Sequence, residues 1–96
     1  MRKSLKWFAG IMDKVLRANS YKRGWRCCSK GYLTRRLHEE VRELLEVLND
    51  PMEERPVSEE EVRHEAADVA NIVMMIADNW GGGPRRKVTD RAKEQR

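Results

Sequence analysis

The stretch SEEEVRHEAADVANIVMMIADNWGGGP, residues 58–84, decides how this 96-residue chain folds. Ser58 and Glu61 stand three apart, the spacing of a capping box, and Val57 and Val62 flank them as a hydrophobic staple. Glu59, Glu60 and Glu61 fall in the first turn, where acids suit the helix dipole. Gly81-Gly82-Gly83-Pro84 cannot continue a helix. The spacing therefore predicts a helix ending at Trp80. At about 100° per residue, Val69, Ile72 and Ile76 lie within about 40° of Glu65, and Val62 and Val73 follow. Glu65 thus sits on an apolar stripe, with Asp68 at its edge. No Lys or Arg occurs from Glu65 to Trp80, so the helix offers these acids no basic partner. Met74 and Met75 point away from the stripe, which makes the helix apolar nearly all round and calls for cover on more than one side.

Upstream stands a second acidic run, Glu39-Glu40-Val41-Arg42-Glu43, and 21 residues (44–64) separate it from Glu65. Leu33, Leu37, Val41, Leu44 and Leu48 form the apolar stripe of its helix, and Glu40 and Glu43 border that stripe. Residues three apart share one helical face. Two helices side by side would therefore aim Glu40, Glu43, Glu65 and Asp68 at one point. Four hard oxygen donors at one point describe a divalent-cation site, most naturally for Mg²⁺, with Mn²⁺ as a substitute. A single E-x-x-E in a charged helix reads as solvated surface. Two pairs, one of them in an apolar helix, read otherwise, because an unpaired buried carboxylate is costly unless a cation or proton compensates it.

The rest of the chain supplies the frame. A first helix runs from about Lys3 to Asn19 on a stripe of Leu5, Phe8, Met12 and Val15. A connector follows from Tyr21 to Gly31. The second helix runs from roughly Tyr32 to Leu48 and ends at Asn49-Asp50-Pro51, since the residue before proline resists helix. The expected class is all-α: a three-helix protomer in residues 1–80 that assembles into an oligomeric bundle, then a Gly/Pro break and a basic tail in 81–96. Charged residues are 38% of the chain and aromatics 6%, which argues against a β-rich fold. One domain of this size has little core of its own, so a homodimer or homotetramer is expected.

Charge is segregated. Residues 1–36 carry a net +10, residues 37–80 a net −10 and residues 81–96 a net +4. Nucleic-acid binding explains the basic ends but not the acidic centre, whereas a metal–phosphate ligand uses both. Cys27 and Cys28 are neighbours and offer neither zinc spacing nor a disulfide framework, so a reducing cytoplasm is the expected setting. The apolar run from Trp7 to Met12 is broken by Gly10 and ends at Asp13, too short for a signal peptide or a membrane span.

With these residues in place, the chain resembles the MazG-like nucleotide pyrophosphohydrolases, the all-α NTP pyrophosphatase superfamily. The matching positions are Glu39, Glu40, Glu43, Glu65 and Asp68, within Leu37-His38-Glu39-Glu40-Val41 and Asp68-Val69-Ala70-Asn71. The run from Ala70 to Asp78 is similar to small stand-alone members, and the likeness spans roughly Trp7 to Trp80. It implies an Mg²⁺-dependent enzyme that cleaves a ribo- or deoxyribonucleoside triphosphate between the α and β phosphates, releasing the monophosphate and pyrophosphate. It implies a bundle built from two or more chains. It makes Glu40, Glu43, Glu65 and Asp68 metal ligands, and gives Glu39 the task of positioning or deprotonating the attacking water or holding a further metal. The connector Tyr21-Lys22-Arg23-Gly24-Trp25 looks like the segment before the metal helix in small members. Lys22 is thereby a candidate phosphate contact and Trp25 a candidate base-stacking platform. Asn71, three residues after Asp68, is a candidate to orient phosphate or sugar.

Each of these residues also has a plainer reading. Lys22 is then a solvated loop charge, Trp25 a cap on the core, and Asn71 a hydrogen-bonding group between subunits. Arg36, four before Glu40, reads as a salt-bridge partner. His38 and His64 read as lone surface histidines, since helix 2 has no E-x-x-H to build a di-iron site with Glu61-x-x-His64. Two rival functions stand beside the enzyme. One is a nucleic-acid-binding helical module, drawn from the basic arm, Trp7, Trp25 and the Arg85-Arg86-Lys87 cluster. The other is a catalytically silent relative that kept the fold.

Overall fold

The computed structural model describes residues 1–19, 24–49 and 57–84. These residues form three helices and no strand: α1 (Lys3–Asn19), α2 (Lys30–Asn49) and α3 (Glu59–Trp80). The all-α expectation holds at that level. Lys22, the loop 51–56 and the basic tail from Arg85 lie outside the described residues. No described helix is long and apolar enough to cross a membrane.

Helix ends follow their caps. Ser58 is extended, and its hydroxyl accepts from the Glu61 amide at 3.2 Å, which starts α3 where the capping box indicates. Val57 remains exposed, so the staple adds little burial. α2 begins two residues before the expected Tyr32. The reason is Ser29, whose hydroxyl accepts from the Tyr32 amide at 3.0 Å and so caps a helix that takes Gly31 into its first turn. At the far end of α3, Gly82 adopts φ 79° and the Gly83 amide reaches back to the Asp78 carbonyl at 3.3 Å. This is a Schellman-type stop. A side chain at Gly83 would collide with Asp78, so the sharp turn needs glycine at both positions.

α3 is the spine, with α1 and α2 both packed against it. Leu33, Ile72 and Met75 form the buried core, and Leu16, Trp25, Cys28, Leu37, Met74 and Ile76 pack around them. The buried arc of α3 differs from the expected stripe. Ala67, Asn71, Ile72, Met75, Asp78 and Asn79 are buried, while Val73 is exposed and Val69 only half-buried. Met75 therefore points inward rather than away. The cause is hydrogen bonding by polar residues that hydropathy places outside. Asn71 donates through Nδ2 to the Met12 carbonyl of α1 at 3.0 Å. The Trp25 indole donates through Nε1 to Asp78 Oδ2 at 2.8 Å, and Asn79 Nδ2 donates to the Trp25 carbonyl at 2.9 Å. Buried polar groups with partners cost little, so these three residues turn α3 toward α1 and the connector.

Candidate metal centre

α2 and α3 run antiparallel. Near one end Lys30 lies over the Trp80 ring, 5.8 Å from its centroid, and near the other the acidic runs meet. One carboxylate oxygen from each of Glu40, Glu43 and Glu65 lies within 4.8 Å of the others. Glu40 is 5% exposed, Glu65 is half-buried and Glu43 faces solvent, so the cluster opens from the α2–α3 seam toward water. Asp68, one turn beyond Glu65, borders the cluster. Its Oδ2 lies 3.3 Å from His64 Nε2, and its carboxylate is 17% exposed.

The charges act on one another. Burial, followed by the fields of Asp68 and Glu43, pushes the Glu40 carboxyl above its ordinary value, against the pull of Arg36. Burial and the fields of Glu43, Asp68 and Glu40 push Glu65 up. Burial raises Asp68 as well, opposed first by His64. Three carboxyls raised by burial and by like charges mark a group short of positive charge.

Arg36 supplies part of that charge from one side only. Its Nη2 donates to Glu40 Oε2 at 2.6 Å and its Nη1 to Glu39 Oε1 at 2.8 Å. The expected Arg36–Glu40 pair is present, and the second contact, to Glu39, is an i,i+3 pair legible in the spacing but not anticipated. The doubly engaged guanidinium is held charged even more firmly than usual. Two carboxylate oxygens remain orphaned. Glu40 Oε1 and Glu65 Oε1 are buried without a hydrogen-bond partner among the described residues. An orphaned anionic oxygen in a dry setting calls for a cation or a proton. The donor set, all carboxylate oxygen, suits Mg²⁺ or Mn²⁺ and lacks the nitrogen and sulfur ligands of a structural zinc site.

The other candidate residues sit elsewhere. Glu39 is on α2 beside Glu40, with its carboxylate held by Arg36 and 40% exposed. Trp25 packs at the C-terminal end of α3 against Asp78 and Asn79, ten residues or about 15 Å of helix from Asp68. Asn71 turns its amide toward α1. Trp25 is therefore held away from the acidic runs, while Asn71, one turn past Asp68, spends its amide donor on α1. His38 is exposed. His64 is exposed but not lone, since it stands against Asp68, an i,i+4 relation that the sequence already contained.

No family model, no curated protein and no solved structure matches the chain. The functional reading therefore rests on the geometry of these side chains and on the resemblance of the motif.

Proposed function

We propose that the protein is an Mg²⁺-dependent nucleoside triphosphate pyrophosphohydrolase, converting an NTP or dNTP to the monophosphate and pyrophosphate. The observation that carries the reading is the meeting of Glu40 and Glu43 from α2 with Glu65 from α3, with buried oxygens of Glu40 and Glu65 left unsatisfied among the described residues. Glu40, Glu43, Glu65 and Asp68 would hold the metal. When bound, Mg²⁺ neutralises phosphate charge and lowers the pKa of water.

The chain's own groups divide the remaining work. Arg36 grips Glu40 Oε2 and leaves Oε1 for the site, while His64 Nε2 stands 3.3 Å from one oxygen of Asp68. To Glu39 we assign the task of positioning or deprotonating the attacking water, or of holding a further metal, as the resemblance implies. Its partly exposed position leaves it open to solvent and substrate. The water oxygen bonds to the α-phosphorus, the bond from that phosphorus to the α–β bridging oxygen breaks, and pyrophosphate leaves with the bridging oxygen. The burial of Trp25 and Asn71 in helix contacts assigns them to the scaffold first. Any contact of Trp25 with a base would use the face of its ring that the core leaves uncovered.

The direct test is pyrophosphate release from a panel of ribo- and deoxyribonucleoside triphosphates, with Mg²⁺ or with EDTA, for the wild type and Glu40→Gln. Release that needs Mg²⁺ and is lost in the variant is expected. No release from any nucleotide, with intact helical circular dichroism, would sink the enzymatic reading and turn attention to DNA and RNA binding by the basic arm.

A further inference from the structure

We propose that Asn19, the last residue of α1, is a positioning residue of the metal centre. Its side-chain amide holds the Asp68 carboxylate beside the Glu40–Glu43–Glu65 cluster and so makes α1 the third helix of the site. The inference rests on the metal reading of that cluster and names a residue that lies outside both acidic runs.

The packing of α1 on α3 brings the two side chains together. Asn71 donates to the Met12 carbonyl at 3.0 Å, which ties this part of α1 to α3. At about 100° per residue, Asn19 lies two turns beyond Met12 and within about 20° of it around the helix. Between them Val15 is buried and Leu16 packs on the core, so this side of α1 is the one turned inward. On α3, Asp68 stands one turn before Asn71 on the same face. The Asn19 amide is hydrogen-bonded to the Asp68 carboxylate, closing that corner of the α1–α3 contact.

Asp68 is a group that needs holding. Its carboxylate is mostly buried, and its charge is felt at both Glu40 and Glu65. From its own helix His64 stands 3.3 Å from Oδ2. The terminal torsion of an aspartate is broad, so a contact from one side leaves the carboxylate free to swing. A second donor, on a different helix, restricts it to one orientation. The amide suits the task because it donates without carrying charge. It orients the carboxylate and leaves the negative charge for a cation, whereas a lysine or arginine at position 19 would compete with the metal for it.

Asparagine is also a good helix stop, since it tolerates the left-handed conformation that follows a last turn. Two substitutions separate the tasks. Asn19→Gly keeps a stop and removes the donor. Asn19→Gln keeps the donor and is a poor stop.

The experiment is Mn²⁺ binding to the full chain, followed as loss of the free-ion paramagnetic resonance signal, with circular dichroism on each variant. The wild type is expected to bind Mn²⁺ and to release it to excess Mg²⁺. Asn19→Gly is expected to bind about tenfold more weakly, and Asn19→Gln to stay within about threefold of wild type. Arg17→Ala breaks the exposed pair with Asp13 in the same stretch of α1 and is expected to keep the affinity within about twofold. Wild-type affinity in Asn19→Gly would overturn the inference and leave the metal reading standing. An equal loss in Asn19→Gly and Arg17→Ala would overturn it too, because the effect would then belong to α1 as a whole. A wild type that takes up no Mn²⁺ would sink the metal reading itself, and this inference with it.

Discussion

Arg36 and Glu40 are joined by a 2.6 Å hydrogen bond on one oxygen of the carboxylate, while the other oxygen is buried without a partner among the described residues. The arginine thus fixes one oxygen of a carboxylate that belongs to the acidic cluster. Arg36→Met keeps the aliphatic packing and removes the fork. It is expected to weaken Mg²⁺ affinity about 10- to 100-fold, the usual cost of losing an outer-shell partner. Arg36→Lys should recover only part of it, because an ammonium cannot serve Glu39 and Glu40 with one planar group. Isothermal titration with Mg²⁺, or the Mg²⁺ dependence of turnover, reads the effect.

The raised carboxyls of Glu40, Glu65 and Asp68 fix the sign of a pH effect. In the unfolded chain such groups lose their protons near pH 4. In the folded, metal-free protein they keep them to higher pH, so the folded state binds more protons and stability falls as pH rises through the raised values. Metal-free protein in EDTA is expected to melt at a higher temperature near pH 5 than near pH 8, as far as this cluster decides. Mg²⁺ should raise the melting temperature at pH 8 and do so much less at pH 5. Equal shifts at both pH values would contradict a metal held by these groups.

Glu65→Gln separates stability from function. The substitution removes one negative charge from a crowded set and keeps the shape. Metal-free protein is expected to gain melting temperature, while Mg²⁺ no longer stabilises it and turnover falls about 100-fold or more. Thermal melts in EDTA and Mg²⁺, run beside the pyrophosphate assay, make the comparison. A variant that loses stability in EDTA would show the carboxylate to be a structural group.

Asn71 and Trp25 are expected to behave as scaffold residues. Asn71→Ala deletes the bond to the Met12 carbonyl, and Trp25→Phe deletes the indole donor to Asp78. Each should cost about 1–3 kcal/mol of stability. For a domain of this size that is a fall of at least 4 °C or so in melting temperature. At a temperature where both variants are folded, KM for the nucleotide should stay within about twofold of wild type. A large rise in KM with unchanged stability would restore these two residues to the binding site.

Much of this was legible in the order of residues, and the exceptions share a cause. The limits of α1, the Ser58 cap and the Gly81–Pro84 stop depend on local chemistry and could be read directly. The meeting of Glu40, Glu43 and Glu65 could be read because three-residue spacing survives any reasonable packing of two helices. The start of α2 was misplaced because Gly31 looks like a breaker, while Ser29 before it is the cap that overrides it. The facing of α3 was misjudged because Asn71, Asp78 and Asn79 score as surface residues. Their burial depends on acceptors and donors in α1 and the connector, which no hydropathy pattern records. Long-range hydrogen bonds were the missing information in each case of misplaced facing.

The placement of α3 between the other two helices has a consequence for how the molecule comes apart. Both acidic runs belong to α2 and α3, while α1 packs on α3 through Val15, Leu16 and the Asn71–Met12 bond and sets Asn19 against the Asp68 carboxylate. Detachment of α1 would therefore take a partner from Asp68 at the border of the acidic cluster as well as cover from the core. In hydrogen exchange, its amides should open before those around Leu33 and Met75. Loosening of the basic first helix would then be felt at Asp68, so the carboxylates are tied to the half of the protein that carries the opposite charge.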